Sequence, residues 1–282
     1  MKSARKYDLL AIDLDGTLLD SQHALPPGNR DALHRAHAAG IKVVLCTGRA
    51  FAETRPVIEQ IGLDLDAAVT VFGAVVADAA SGRTLYRTPI RLPVAHAVTD
   101  WFQGDGHAVM WLTDADQVGS DGYVLNGPKR HAAVDRWIAW TPCKVQEVDR
   151  LPPDCAAPVR LSIIDETVAL EGISQRLHAA FDGRLRHHVL CAPPYQLSLI
   201  EAFAPPVSKW YGILKLCRRW RIDVRRTVAV GDDVNDIDMV QHAGLGVAMG
   251  NANPTVQAVA DRITGSNDAC GVAELIDQLL ET

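Results

Sequence analysis

Two carboxylates lie two residues apart where the first apolar segment of the chain ends. Residues 9–12 are a predicted buried strand, Asp13 and Asp15 follow it, and Gly16 turns the chain. In a doubly wound sheet, ligands bind beyond the carboxyl ends of the strands, so these acids are expected to face a ligand. Two close carboxylates repel one another unless a hard cation such as Mg²⁺ binds them. The alternative is an Asp-Gly turn with a solvated acid beside it.

A second predicted strand also ends in residues that suit a ligand. Residues 41–46 are apolar and run into Thr47, Gly48 and Arg49. A hydroxyl, a flexible turn and a guanidinium together suit a phosphate group. Thr47 as a plain helix N-cap, or Arg49 paired with a surface acid, are the structural alternatives.

Two later segments add a lysine and more acids. Residues 227–230 form a third predicted strand that runs into the segment 231–236, which holds three aspartates and Asn235 and resembles the other half of a metal site. In the stretch between the second and third predicted strands, apolar residues recur at helical spacing after Ser208. Lys209 is therefore expected in the first turn of a helix, where anions bind.

These segments together resemble the haloacid dehalogenase-like hydrolases, specifically the Cof-type branch of small phosphatases, over almost the whole chain. Four motifs occur in the family's order, and the tail at 247–252 also resembles the family's. The motifs are Asp13-x-Asp15-Gly16-Thr17, Thr47-Gly48-Arg49, Ser208-Lys209 and Gly231-Asp232-Asp233-x-Asn235-Asp236.

The resemblance implies a role for each matched residue. Asp13 is expected to be the nucleophile, forming an aspartyl-phosphate. Asp15 is expected to protonate the leaving alcohol and then activate water, while its backbone carbonyl joins Asp13 and Asp232 in binding Mg²⁺. The expected phosphate-binding residues are Thr47, Gly48, Lys209 and Asn235, with Asp236 and Arg49 in support.

Two positions depart from the family's pattern. Phe72 stands where many Cof-type members have an asparagine, and Trp210 follows Lys209 where a glycine is common. Because the acids and the lysine are retained, these changes bear on substrate choice and rate more than on the type of reaction.

Length and spacing indicate two domains. The chain has 282 residues, more than the roughly 250 at which single cores tend to split. We predict an α/β fold with a Rossmann-like, doubly wound, mostly parallel sheet in residues 1–84 and 200–282. An α+β cap domain is expected in residues 85–199. By the resemblance, this cap covers the crevice and selects the leaving group.

The composition of the chain limits the kinds of partner and compartment that we expect. The net charge is −6, and no basic face suggests nucleic acid. The longest uncharged apolar stretch, residues 67–77, is far shorter than the 18 or so residues of a membrane span. Six cysteines without metal-ligand spacing suggest reduced thiols in a cytoplasmic protein. The oligomeric state is left open.

The predicted function is a Mg²⁺-dependent phosphatase for a small phosphorylated metabolite, either a sugar phosphate or a cofactor phosphate. One alternative is a phosphotransferase or phosphomutase that uses the same intermediate. Another is a non-catalytic phosphate- or metal-binding protein, such as a receiver-like module. Asp15 separates a hydrolase from a receiver, because a receiver needs no acid at that position.

Overall fold

A computed structural model describes residues 6–192 and 197–281 of the chain. The described residues form two compact units, one within Met1–Tyr86 and Ser208–Thr282 and the other spanning Arg87–Val207. The predicted domain boundary between residues 199 and 200 falls inside a strand, Leu197–Phe203. That strand pairs with a neighbour on each side, so the chain stays in the second unit as far as Val207.

The strands of both units are numbered here in chain order. They are β1 Leu9–Asp13, β2 Lys42–Cys46, β3 Ala67–Thr70, β4 Val75–Ala77, β5 Thr84–Arg87, β6 Val109–Leu112, β7 Gly122–Leu125, β8 Val145–Val148, β9 Arg160–Glu166, β10 Arg186–Ala192, β11 Leu197–Phe203, β12 Thr227–Gly231, β13 Leu245–Ala248 and β14 Arg262–Ile263.

The α-helices are numbered in the same way. They are α1 Pro27–Ala38, α2 Phe51–Ile61, α3 Leu92–Gly104, α4 Ala115–Val118, α5 Ala132–Trp140, α6 Thr167–Phe181, α7 Lys209–Trp220, α8 Ile237–His242, α9 Pro254–Gln257 and α10 Gly271–Leu280. None of the helices in the described ranges combines the length and the apolar character that crossing a membrane requires.

The first unit is built on an eight-stranded sheet in the order β14-β13-β12-β1-β2-β3-β4-β5. From β14 to β3 every neighbouring pair is parallel, and β3 and β4 are antiparallel. Strand β1 is buried along its whole length between β12 and β2. Apolar residues of α1, α2, α7 and α10 pack with those of the strands in one core. The predicted α/β fold class is confirmed.

The second unit is built on a six-stranded sheet in the order β10-β11-β9-β6-β7-β8. Its pairs are antiparallel except for β7 and β8. Because successive strand residues face opposite sides, Trp111 of β6 packs with α3 and α6 while Met110 packs with α5.

Capping residues set the start of helices in the second unit. Helix α5 begins at Ala132, because the His131 side chain accepts a hydrogen bond from the backbone N–H of Ala133 and caps the helix there.

Candidate active site

The predicted site residues of the first unit meet at one edge of its sheet. Asp13 is the last residue of β1 and lies beside Cys46 in the register of β1 and β2. Thr47 directly follows β2, and Asp232 directly follows β12. Because these three strands are parallel neighbours, their carboxyl ends deliver all three residues to the same place.

Lys209 joins Asp13 to a second acid. Its ammonium Nζ donates to Asp13 Oδ1 at 2.6 Å and to Asp236 Oδ1 at 2.7 Å, and all three side chains are almost entirely buried. Burial alone would lower the pKa of the Lys209 ammonium. The charges of the two carboxylates outweigh that effect and raise it. Lys209 is therefore a permanent cation between two aspartates.

Helix α7 brings Lys209 to this position. Ser208 is its N-cap and accepts a hydrogen bond from the backbone N–H of Tyr211 at 3.2 Å. Two glycines allow the helix to approach the end of β3. A Cβ at Gly73, where φ is +95°, would lie 2.1 Å from the Ser208 carbonyl oxygen, and a Cβ at Gly212 would lie 2.5 Å from Val69 Cγ1.

Asp236 holds the loop that carries Asp232. Its Oδ2 accepts hydrogen bonds from the backbone N–H groups of Asp232 and Asp233 at 3.1 and 3.2 Å, while its Oδ1 contacts Lys209. A Cβ at Gly231 would lie 2.4 Å from Asp236 Cγ, so only glycine fits beside this carboxylate. The buried Asp236 thus fixes both the lysine and the loop.

Asp232 faces the turn that follows β1. Its Oδ1 accepts a hydrogen bond from the Thr17 hydroxyl at 2.9 Å. Gly16 lies against the same carboxylate with φ +79°, and a Cβ there would be 2.3 Å from Asp232 Oδ2. Gly16 therefore serves both the left-handed turn and the close approach of Asp232.

Three carboxylates of this site fit a divalent cation. Asp13, Asp232 and Asp236 each place one oxygen within 4.8 Å of the others. Burial raises the pKa of Asp13 well above its usual range despite Lys209. Burial and the neighbouring Asp236 raise the pKa of Asp232 to about 6. An all-oxygen set with more negative than positive charge is the donor chemistry that Mg²⁺ prefers.

The carboxylate of Asp15 lies apart from this cluster. It pairs with Arg49, whose Nε donates to Asp15 Oδ2 at 2.9 Å and whose Nη2 contacts Asp15 Oδ1. His23 Nδ1 lies 3.4 Å from the same Oδ1. The structure thus places Arg49 on the second carboxylate of the motif, whereas its sequence context suggested a phosphate partner.

Thr47 and Gly48 form a turn beneath the ring of Phe72. Thr47 is buried, and its hydroxyl accepts a hydrogen bond from the Arg49 N–H at 3.1 Å. It does not cap α2, whose N-cap is Ala50. A Cβ at Gly48 would lie 2.4 Å from Phe72 Cζ, and Lys209 Nζ lies 5.9 Å from the centre of that ring. The Phe72 ring therefore borders the site beside Gly48.

Asn235 lies in the Asp232 loop with an unsatisfied oxygen. Its Oδ1 is buried and has no hydrogen-bond partner among the described residues. A buried polar atom without a partner is costly and suits a ligand donor or an ordered water.

Cys46 lies within the core beside Asp13. It belongs to the apolar cluster of the first unit, and burial raises the pKa of its thiol. It therefore stays a neutral packing residue. Among the side chains that the structure describes, the free thiols are Cys46, Cys143, Cys155, Cys217 and Cys270.

Sequence reasoning missed three contributors to this site. These are the Thr17 hydroxyl on Asp232, the Phe72 ring beside Gly48, and Asn251, whose Nδ2 donates to the Gly16 carbonyl at 2.8 Å. Thr17 lies in the first of the four motifs and Asn251 lies in the family-like tail at 247–252, so their positions could have indicated a role at the site. The Phe72 ring was noticed only as a departure from the family.

Comparison with known proteins identifies the class. The sequence profile of the haloacid dehalogenase-like hydrolases matches residues 10–276. The chain belongs to this family, and the predicted resemblance is confirmed.

Several relatives span the whole chain. The putative phosphatase YxeH of Bacillus subtilis is 28% identical over 97% of this chain and 98% of its own. The 5-amino-6-(5-phospho-D-ribitylamino)uracil phosphatase YwtE of Bacillus subtilis is 30% identical over 96% of this chain and 97% of its own. A haloacid dehalogenase-like hydrolase from Bacillus subtilis superposes with a TM-score of 0.79 and 27% identity, covering 96% and 99% of the two chains.

Proposed function

We propose that this chain is a Mg²⁺-dependent phosphatase that hydrolyses small phosphate monoesters through a phosphorylated Asp13. The observation that carries the proposal is Asp13 itself. It is a buried carboxylate at the end of the central strand, held by Lys209 and adjoined by Asp232. Phosphoryl transfer needs positioning and charge neutralisation around a nucleophile, and these residues supply both.

In the first half of the reaction, Asp13 attacks phosphorus. A bond forms between a carboxylate oxygen and phosphorus, the bond from phosphorus to the ester oxygen breaks, and the alcohol leaves with a proton from Asp15. Lys209 neutralises negative charge beside the reacting group, and Thr47, Gly48 and Asn235 hold phosphoryl oxygens. The Lys209 contact also opposes the effect of burial, which favours the protonated and unreactive form of Asp13.

In the second half of the reaction, a water molecule displaces the Asp13 oxygen from phosphorus. Asp15, now ionised, takes a proton from a water molecule whose oxygen attacks phosphorus. The bond between phosphorus and the Asp13 oxygen breaks, inorganic phosphate leaves, and Asp13 is restored as a carboxylate. Mg²⁺, when bound by Asp13, Asp232 and the Asp15 backbone carbonyl, supplies positive charge that withdraws electrons from the phosphoryl oxygens.

Arg49 positions the carboxylate of Asp15. Its guanidinium makes a bidentate contact with both carboxylate oxygens. To protonate the leaving oxygen, the Asp15 side chain turns from Arg49 toward that oxygen. Arg49 is therefore proposed to support the acid–base residue, and contact with phosphate is not part of its role.

The names of relatives support a proposed substrate class. Relatives of full length carry the names of phosphatases that act on small phosphorylated metabolites. We extend that class to this chain, with a sugar phosphate or a cofactor phosphate as the substrate. The second unit, as an inserted domain, is proposed to select the leaving alcohol.

Phosphate release tests the proposed function directly. The protein is incubated with a panel of sugar phosphates, pyridoxal phosphate and p-nitrophenyl phosphate, with Mg²⁺ or with EDTA. We expect Mg²⁺-dependent release of inorganic phosphate. Appearance of the phosphoryl group on an added alcohol would instead indicate a transferase, and release unaffected by EDTA would contradict the metal assignment.

Metal removal is also expected to change stability in a pH-dependent way. The pKa of Asp232 is about 6 in the folded protein. It is higher than in the unfolded chain, so the folded state holds the proton more tightly. Stability without metal therefore falls as pH rises from about 4 to about 6, by up to roughly 3 kcal/mol from this group.

The measurement is thermal unfolding in EDTA and in Mg²⁺, at about pH 5 and at about pH 7.5. We expect Mg²⁺ to raise the midpoint more at the higher pH, where the carboxylates are ionised. Asp232→Asn serves as the matched variant and should lose most of this difference. Equal midpoint shifts at both pH values in the unaltered protein would refute the assignment.

A further inference from the structure

The turn that carries Asp15 is not a regular helix. Residues Leu14–Leu18 form a wide turn in which the Leu19 N–H donates to the Leu14 carbonyl at 2.9 Å. Asp15 and Gly16 lie outside helical backbone geometry. The carbonyl groups of such a turn lack the donors that a continuing helix would supply, and they need partners from elsewhere.

Three asparagine side chains supply those partners. Asn29 Nδ2 donates to the Leu18 carbonyl at 2.9 Å, and Asn267 Nδ2 donates to the Leu19 carbonyl at 3.1 Å. Asn251 Nδ2 donates to the Gly16 carbonyl at 2.8 Å. The three asparagines come from three separate segments, so the path of the turn is fixed from several sides.

Asn251 differs from the other two in its exposure and its location. Asn29 and Asn267 are buried, whereas Asn251 is exposed. Asn251 follows β13, and the Met249 N–H just before it donates to the Gly231 carbonyl at 3.0 Å. It therefore connects the loop after β12, which carries Asp232, with the turn that carries Asp15.

Both ends of the Asn251 amide are used. While Nδ2 holds the Gly16 carbonyl, Oδ1 accepts a hydrogen bond from the Asn267 N–H at 2.9 Å. The amide cannot rotate without losing both contacts. Its contact with the Gly16 carbonyl fixes the peptide unit between Gly16 and Thr17, one residue beyond Asp15.

We propose that Asn251 is a positioning residue for Asp15. By holding the Gly16 carbonyl, it sets the direction in which the Asp15 side chain leaves the turn, and hence its distance from the ester oxygen. This inference rests on the proposed function. The contact is made to the backbone of the turn that carries Asp15, so we expect it to affect proton transfer more than phosphate binding.

The test compares esters with good and poor leaving groups. A p-nitrophenolate leaves without a proton, whereas the alkoxide of a sugar phosphate needs one from Asp15. In Asn251→Ala we expect kcat for a sugar phosphate to fall by about 10-fold to 100-fold, the scale of a misplaced catalytic group. For p-nitrophenyl phosphate the fall should stay below about 3-fold, with KM unchanged for both.

Two further variants separate positioning from stability. Asn251→Asp retains an acceptor for the Asn267 N–H but faces the Gly16 carbonyl with an oxygen, and it should show the same dependence on the leaving group. Asn253→Ala removes the side chain that caps α9 through the Thr255 N–H. It should lower the thermal midpoint without changing the ratio of the two rates.

The experiment distinguishes a failure of this inference from a failure of the proposed phosphatase function. An unaltered protein that hydrolyses neither ester would overturn the phosphatase proposal and this inference with it. If the unaltered protein is active, an Asn251→Ala variant with equal rate losses on both esters, or with none, would overturn the inference alone.

Discussion

The Asp13→Asn variant is expected to release no measurable phosphate while remaining folded. The amide oxygen is too weak a nucleophile to form the phosphorylated intermediate, so the rate should fall by about 10⁵-fold or more. The test measures phosphate release together with acid-quench labelling by a phosphate ester. The unaltered protein should retain a labile phosphoryl group, and the variant should retain none.

The fold should tolerate this change for an electrostatic reason. Lys209 keeps its contact with Asp236 at 2.7 Å, so no buried cation is left alone. Burial disfavours the ionised form of Asp13, and a neutral amide removes that cost. We therefore expect an unchanged or higher thermal midpoint without metal.

Asp8→Asn is the matched control for Asp13→Asn. Asp8 precedes the opposite end of β1 and pairs with Arg226, far along the strand from Asp13. Activity should persist in this variant. Phosphate release and labelling by Asp13→Asn at levels near those of the control would remove Asp13 from the nucleophile role.

The Lys209→Met variant is expected to damage both stability and activity. Methionine fills a similar volume but leaves Asp13 and Asp236 as buried carboxylates without their shared cation. Breaking a buried ion pair in this way typically costs about 3–5 kcal/mol. Loss of the positive charge beside the phosphoryl group should lower kcat by about 10²-fold to 10³-fold or more. Urea unfolding and phosphate release measure the two effects.

Two additional variants distinguish the charge effect from a packing effect. Adding Asp236→Asn to Lys209→Met removes one unpaired carboxylate and should recover part of the lost stability, while kcat stays as low as in Lys209→Met. The control variant is Lys215→Met. Lys215 lies on the same helix, α7, and its ammonium contacts the rings of Tyr86 and Tyr211. This variant should cost about 1 kcal/mol or less. Equal destabilisation by the two single variants would contradict the role assigned to Lys209.

Some elements escaped sequence reasoning because their local signals conflict. Helix α2 contains Pro56, which ordinarily argues against a helix. Strand β13 includes Gly246, where a Cβ would lie 1.8 Å from the Val240 carbonyl oxygen. Its glycine reflects close packing, which the sequence pattern did not express. The segment boundary at residue 200 was misplaced for a similar reason, because pairing within the second sheet extends β11 to Phe203.

The sequence by itself determined where the chemistry begins. An apolar run followed by acids predicts β1 with Asp13 at its end, and Ser208 before an amphipathic stretch predicts α7 with Lys209 in its first turn. These features are local, because strand and helix signals depend on neighbouring residues and on capping.

Only the tertiary structure decided which of these groups touch. Lys209 contacts Asp13 across 196 residues of sequence, and Asn251 contacts Gly16 across 235. Asp15 pairs with Arg49 across 34 residues. No local pattern encodes such pairs, because they depend on β12, β1 and β2 lying side by side and on glycines that allow close packing. The sequence thus identified the reacting groups, and the packing of the sheet determined their partners.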